Sequence, residues 1–161
     1  MGNEIYYGQD VPQLLSEHKI LTMNNREYVL VEFSVSESVD YIRQGIQMLQ
    51  MKGFRVILAH VERYESIPED MDSLDMLYDM GVLIQVNAGS IIGKSGRRVK
   101  KFVHDLLENQ MVFCVGTDAH GAKERAPRME KAAQYVAKKY GRDYAKRIFF
   151  SNARLMLKKR S

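Results

Sequence analysis

Five acidic and imidazole side chains near the ends of apolar runs could bind metal ions: Glu4, Glu32, His60, Asp118 and His120. Carboxylates and imidazoles without thiolates form the ligand set of Zn²⁺, Mn²⁺ or Fe ions in multi-metal hydrolases. Asp118 and His120 are two residues apart, so both would point the same way in an extended segment. The pattern favours a metal site built from oxygen and nitrogen ligands.

Each of these residues also has a structural interpretation. A single histidine after a strand, such as His60, is more often a hydrogen-bonded structural residue than a ligand. Glu32 alone could be a salt-bridge partner, and Glu4 could simply be solvated. The joint occurrence of the five therefore matters more than any one of them. We expect the remaining histidines, His18 and His104, to be structural or exposed.

The sequence excludes two other kinds of phosphate chemistry. A cysteine-based phosphatase needs Cys-x₅-Arg, but the sixth residue after Cys114 is His120. We expect Cys114 to be a small buried hydrophobic residue. The glycines at 89, 93 and 96 are followed by Arg97, without the Gly-Lys-Ser/Thr ending of a nucleotide-binding P-loop.

Composition indicates one globular domain spanning residues 1–161. The chain has 161 residues, of which 45% are apolar and 27% charged, so a sizeable core is expected. It has no long uncharged apolar run and no signal peptide at its start, so we expect a cytoplasmic protein without membrane insertion. A net charge of +4 favours anionic partners in general. Basic runs without interleaved aromatic residues make nucleic-acid binding a weak alternative.

The elements that must position these residues follow a strand–helix–strand order. We predict a hairpin of residues 20–23 and 27–33, then strands at 54–59, 82–86 and 111–115. We also predict a helix capped within 36–38 that runs to about 52, and helices at 70–80, 97–110, 127–140, 143–149 and 153–159. Such alternation predicts an α/β fold with a parallel sheet, either open or part of a barrel. Ligands of such folds gather at the carboxyl ends of the strands, where Glu32, His60, Asp118 and His120 lie. Glu4 instead opens a short run at 5–7.

Four motifs give the sequence a family resemblance. They are Ala-His-Val-Glu-Arg-Tyr at 59–64, Asn-Ala-Gly-Ser-Ile-Ile-Gly at 87–93, Thr-Asp-Ala-His at 117–120 and Arg-Ala-Pro at 125–127. In this order they resemble the bacterial PHP-type protein-tyrosine phosphatases of the CpsB and YwqE type. Those enzymes depend on manganese and are encoded with capsule and exopolysaccharide genes. The resemblance extends over essentially the whole chain.

The resemblance implies a fold, a cofactor and site residues. The fold would be a distorted (β/α)₇ TIM-like barrel, and the cofactor two or three Mn²⁺ ions, with Zn²⁺ or Fe as alternatives. The implied metal ligands are Glu4, Glu32, His60, Asp118 and His120. Arg63 and Arg125 would grip the phosphate. His120, or a histidine nearer the family's amino terminus, would protonate the leaving group.

The chain also departs from the family pattern ahead of Glu4. Family members carry a His-x-His strand and a further ligand histidine there, and this sequence shows neither. A complete barrel takes about 250 residues. We therefore expect a partial barrel, the carboxyl-terminal two-thirds, with little activity by itself. Because an exposed strand edge promotes association, we expect a homo-oligomer.

Three functions remain open at this point. The first is hydrolysis of phosphotyrosine on a cognate bacterial tyrosine kinase, which would regulate capsule or exopolysaccharide synthesis. The second is another PHP phosphoesterase activity, on a small ester such as histidinol phosphate or as a polymerase-linked nuclease. The third is a non-catalytic, kinase-binding fragment. The motifs at 59–64 and 87–93 favour the first.

Overall fold

The computed structural model of the chain describes residues 4–23, 27–68, 70–117 and 122–157, without the side chains of 122–127 and 157. The chain forms two compact units. The first unit comprises Met1–Leu83 with Met156–Ser161, and the second comprises Ile84–Leu155.

Three parallel strands form the sheet of the first unit. They are β1 (Glu4–Tyr6), β2 (Tyr28–Glu32) and β3 (Arg55–Leu58). β2 lies between the other two, with Tyr6 paired with Glu32 and Leu30 paired with both Glu4 and Ile57. Because the strands are parallel, their carboxyl ends lie at the same edge of this sheet.

Helices of the first unit begin at capping residues that the sequence provides. They are α1 (Val11–Ser16), α2 (Val39–Met51) and α3 (Met71–Asp79), and a short 3₁₀ turn covers Val61–Arg63. Ser38 accepts a hydrogen bond from the Tyr41 N–H at the start of α2, and Asp70 accepts one from the Ser73 N–H at the start of α3. Both caps agree with the predicted helix starts.

The predicted hairpin is wrong. Residues 20–23 form no strand, and β2 instead pairs in parallel with β1 and β3. Both edges of β2 are therefore occupied, so no antiparallel partner can pair with it. Val29 and Val31 are fully buried, as expected for a central parallel strand.

The second unit contains a second parallel pair, β4 (Leu83–Asn87) and β5 (Val112–Gly116). Gln85 pairs with Cys114 and Asn87 with Gly116, after an irregularity between Ile84 and Gln85. The helices that follow in the chain are α4 (Ala88–Ile91), α5 (Arg97–Glu108), α6 (Ala122–Tyr140), α7 (Arg142–Lys146) and α8 (Asn152–Leu157), with a π-helical segment at Arg147–Ser151.

Parallel strands that alternate with helices confirm the α/β prediction. The predicted strands at 54–59, 82–86 and 111–115 correspond to β3, β4 and β5. One helix boundary was wrong, since α6 begins at Ala122 and not at Pro127. No helix in the described part of the chain has the length and apolar character needed to cross a membrane.

Candidate metal centre

Within the described residues, three of the predicted metal ligands come together in the first unit. Glu4, Glu32 and His60 each offer one ligand atom, and these three atoms all lie within 4.8 Å of one another. His60 Nε2 is 2.8 Å from Glu4 Oε1 and 3.4 Å from Glu32 Oε1. The first residue of β1, the last residue of β2 and the second residue beyond β3 therefore converge; Glu32 and His60 lie at carboxyl ends, as the parallel-sheet prediction expects, whereas Glu4 lies at the amino end of its strand.

The backbone turns sharply at His60, just beyond β3. Ala59 still donates its N–H to Val31 O at 2.9 Å, so pairing with β2 continues up to His60. His60 then adopts a left-handed conformation, with φ 32° and ψ 58°, and the 3₁₀ turn follows. This conformation is uncommon for a residue other than glycine and is enriched at functional sites. The His60 side chain is only 3% exposed, against 38% for Glu4.

A buried tyrosine joins the segment after His60 to the segment after Glu32. The Phe33 N–H donates to Tyr64 Oη at 3.0 Å. Burial raises the pKa of Tyr64 well above its ordinary value; the Phe33 hydrogen bond opposes this, and the charges of Glu32 and Glu4 add to it. The Tyr64 phenol therefore stays protonated at neutral pH. Its contact fixes the backbone beside two of the three candidate ligands.

Aromatic packing also supports the segment that follows Glu32. Phe33 stacks on Tyr7 with ring centroids 4.6 Å apart, and Tyr41 meets both rings edge-on. A Cβ atom on Gly45 would lie 2.7 Å from Tyr7 and 2.8 Å from Phe33. Glycine at this position in α2 therefore leaves room for the rings of Tyr7, which follows β1, and Phe33, which follows β2.

The three donors fit one divalent ion. Two ligands at about 2.1 Å on perpendicular positions of an ion would be about 3 Å apart. The observed separations of 2.8 Å and 3.4 Å from His60 Nε2 to the two carboxylates are close to this value. Two carboxylates and one imidazole also match the preferences of Mn²⁺, Zn²⁺ and Fe ions. Three donors leave coordination positions for further ligands.

Glu62 and Arg63, in the 3₁₀ turn after His60, have different environments. Arg63 is exposed. Glu62 is only 4% exposed, although ionised carboxylates are rarely buried. The sequence motif brought both residues to attention, but it gave no indication of this difference in burial.

The remaining predicted site residues lie outside the described part of the chain. Asp118 and His120 follow β5 in the sequence, and neither is among the described residues. Arg125 belongs to α6, but its side chain is not described. Their assignments as metal ligands or phosphate-binding residues stay predictions.

Two buried amides lie on β4 of the second unit. Gln85 and Asn87 are each 7% exposed and are two residues apart on β4, hence on one face of the strand. A Cβ atom on Gly116 would lie 1.8 Å from Gln85 Nε2. Gly116 is therefore needed to accommodate the Gln85 amide. Sequence reasoning missed Gln85 because it treated 82–86 as a purely apolar run.

His104, His18 and Cys114 behave as the structural interpretation expected. His104 Nε2 donates to Ile91 O at 3.0 Å, and its ring stacks on Tyr135 with centroids 5.0 Å apart. His18 is exposed. Cys114 is buried, and burial raises the pKa of its thiol to about 12, so it stays a thiol.

Comparison with known proteins gives consistent matches. A family profile described as capsular polysaccharide synthesis, CpsB/CapC, matches residues 1–158. The chain is 34% identical over 161 residues to the tyrosine-protein phosphatase CpsB of Streptococcus pneumoniae, with 97% of this chain and 66% of that protein aligned. It is 31% identical over 157 residues to the tyrosine-protein phosphatase YwqE of Bacillus subtilis strain 168, with 98% and 61% aligned.

Comparison with solved structures agrees. The chain matches one of the crystal structures of YwqE from Bacillus subtilis and CpsB from Streptococcus pneumoniae, described as unique metal-dependent tyrosine phosphatases. The TM-score is 0.88 at 31% sequence identity, and the match covers 99% of this chain and 64% of that one. The chain thus spans slightly less than two-thirds of the length of these relatives.

Proposed function

Because the chain belongs to the CpsB/CapC family of capsular polysaccharide synthesis, we propose that it carries out metal-dependent hydrolysis of phosphotyrosine. The observation that carries this proposal is the convergence of Glu4, Glu32 and His60 in the first unit. The relatives named as tyrosine phosphatases, one of them matched by a structure described as metal-dependent, support the same chemistry.

The metal ligands of the proposed site are Glu4, Glu32 and His60, with Asp118 and His120 from the sequence motif. Mn²⁺ is the proposed metal, in two or three ions, because the family resemblance implies it. Bound divalent ions would supply a nucleophile by lowering the pKa of water and would offset charge on the phosphoryl oxygens. The complete fold would be the distorted (β/α)₇ barrel that the resemblance implies.

Each described residue has a task in this chemistry. The carboxylates of Glu4 and Glu32 would offset the positive charge of the ions. His60 would hold an ion through its Nε2 lone pair. Arg63, which is exposed, would hold phosphoryl oxygens through its planar guanidinium. Tyr64 keeps the His60 segment in place through its bond to Phe33.

The sequence motif assigns two further roles. Arg125 would be a second phosphate-binding residue, and His120 would donate a proton to the departing tyrosyl oxygen. A permanently charged arginine suits the first role, and an imidazole suits the second, because its ordinary pKa lies near neutral pH. The proposed substrate is a phosphotyrosine-bearing bacterial tyrosine kinase in the cytoplasm, and the proposed assembly is a homo-oligomer.

Phosphate release from a phosphotyrosine peptide tests the proposal. We expect slow release, as for a partial barrel, that requires Mn²⁺, disappears with a chelator and falls to background in His60→Ala. The matched control is His104→Ala, which changes a histidine of the second unit and should leave release unchanged. Binding of the peptide without release would favour the non-catalytic alternative. Release that persists with chelator and in His60→Ala would contradict the proposal.

A further inference from the structure

Two adjacent tyrosines at the end of β1 have opposite environments. Tyr7 is 9% exposed, stacks on Phe33, and burial raises the pKa of its phenol. Tyr6 is 62% exposed. The alternation of side chains along a strand explains the difference, because it directs Tyr7 towards the packed side of the sheet and Tyr6 towards the opposite side.

The side of the sheet that carries Tyr6 is the one that carries the candidate ligands. Glu4 is two residues before Tyr6 on the same strand, so the two side chains leave the same face. Glu32 is the register partner of Tyr6 on β2, and paired residues on neighbouring parallel strands project side by side. Adjacent strands are only about 4.8 Å apart. The Tyr6 side chain therefore leaves the sheet on the same face as Glu4 and Glu32, one strand away from Glu32.

An exposed ring at this place has a chemical use. A single exposed apolar residue is ordinary on a protein surface, so exposure alone indicates nothing. The position of Tyr6 on the same face as Glu4 and Glu32 is what distinguishes it. In an aryl phosphate the ring is joined to phosphorus by one oxygen, so a phosphate at the ligand group places the aryl ring close by. Aromatic rings attract one another at centroid separations of about 4.5–7 Å.

We infer that Tyr6 is the specificity residue that contacts the aryl ring of a phosphotyrosyl substrate. This inference rests on the proposed function and adds to it the means of selecting aryl over alkyl phosphate esters. Tyr6 gives an alkyl ester such as phosphoserine no comparable contact, because that ester has no π face. The phenol oxygen of Tyr6 is not required, so phenylalanine should replace it.

Binding of two phosphonates to the Mn²⁺-loaded protein tests the inference without catalysis. Benzylphosphonate carries an aryl ring and propylphosphonate does not, and neither can be hydrolysed. By titration calorimetry we expect the wild type to bind benzylphosphonate about fivefold more tightly than propylphosphonate. Tyr6→Ala should remove this preference while propylphosphonate affinity stays the same. Tyr6→Phe should restore the preference.

The matched control is Tyr78→Ala, which removes a tyrosine of α3 that is 43% exposed. This variant should keep the wild-type preference, and circular dichroism should show that every variant is folded. Two outcomes would overturn the role of Tyr6 and leave the proposed function standing. One is a preference for benzylphosphonate that survives in Tyr6→Ala; the other is a wild type that binds both phosphonates without preference. Failure of the wild type to bind either phosphonate with Mn²⁺ would overturn the proposed function and this inference with it.

Discussion

The parallel strands of the two units carry different polar groups. In the first unit, Glu4 of β1, Glu32 of β2 and His60 beyond β3 present two carboxylates and an imidazole whose ligand atoms lie within 4.8 Å of one another. In the second unit, β4 presents the neutral amides of Gln85 and Asn87, and Gly116 of β5 makes room for one of them. Similar parallel strands can thus carry ionisable groups or neutral ones. Among the described residues, the group that could hold a metal ion lies in the first unit.

The two halves of the sequence also differ in charge. Residues 1–83 contain 14 Asp and Glu against 6 Lys and Arg, whereas residues 84–161 contain 6 Asp and Glu against 18 Lys and Arg. An excess of carboxylates attracts divalent cations, and an excess of basic groups attracts phosphate. The acidic half is the one that contains Glu4, Glu32 and His60, and the charge of the basic half favours anionic partners in general.

The largest effect is expected for Gly45→Ala in the first unit. The new methyl group would meet the rings of Tyr7 and Phe33 at 2.7 Å and 2.8 Å, and buried rings cannot move aside easily. We expect a loss of about 3 kcal/mol in the free energy of unfolding, measured by urea denaturation, with weaker Mn²⁺ binding because Phe33 follows Glu32. Gly89→Ala is the control, because its Cβ would meet Lys94 at an ordinary 3.8 Å. Equal stabilities of these two variants would contradict the packing account.

The corresponding change in the second unit is Gly116→Ala. Its methyl group would overlap the Gln85 amide, which lies at the end of a flexible side chain and can partly move away. We expect a loss of about 2 kcal/mol in urea denaturation, smaller than for Gly45→Ala. The double change Gly116→Ala with Gln85→Ala should recover most of this loss. If it recovers none, the overlap with Gln85 is not the cause.

A smaller effect is expected for Tyr64→Phe. The change removes the acceptor of the buried Phe33 N–H, which should cost about 1 kcal/mol. It should also weaken Mn²⁺ binding a few-fold, since the lost bond joins the segments that follow Glu32 and His60. Urea denaturation and Mn²⁺ titration measure the two effects. Tyr78→Phe, at an exposed position, should change neither, and a Tyr64→Phe protein equal to the wild type in both would contradict this role.

The smallest effect concerns pH and His104 of the second unit. Burial holds the pKa of His104 below its ordinary 6.5, and the nearby Lys139 and Lys100 charges lower it further, against the Ile91 hydrogen bond. The unfolded chain therefore gains a proton first as the pH falls. The stability that neutral His104 provides is present above about pH 6.5 and is lost as the pH falls towards the folded pKa.

Urea denaturation at pH 7.5 and 5.5 measures this contribution. His104→Gln removes the titrating group and keeps a donor for Ile91 O, so its stability should fall less than that of the wild type between the two pH values. His18→Gln changes an exposed histidine and should fall as much as the wild type. Identical pH dependence of His104→Gln and the wild type would contradict the assignment.

Local patterns predicted much of the fold. Candidate capping residues at 36–38 and the apolar spacing from Asp70 onward placed the starts of α2 and α3 close to where they lie. The apolar runs at 54–59 and 111–115 are long enough to predict β3 and β5. The hairpin prediction failed because two asparagines before β2 favour a turn locally, whereas the pairing of β2 is decided by β1 and β3, which lie far away in the sequence.

The candidate site was predicted in its composition but not in its construction. The rule that chemistry gathers at the carboxyl ends of parallel strands grouped Glu32 with His60, whereas Glu4 is the first residue of β1 and falls outside this rule. The left-handed backbone of His60 and the bond between Tyr64 and Phe33 could not be predicted. Both depend on contacts between residues distant in sequence, and no local propensity encodes them.

The most direct test of the account is Mn²⁺ binding, followed by the electron paramagnetic resonance signal of free Mn²⁺. The wild-type protein should bind Mn²⁺, and His60→Ala and Glu32→Gln should each lose at least tenfold in affinity while remaining folded by circular dichroism. His104→Ala should bind as the wild type does. Equal Mn²⁺ affinity in all four proteins would contradict the claim that Glu4, Glu32 and His60 form a metal centre.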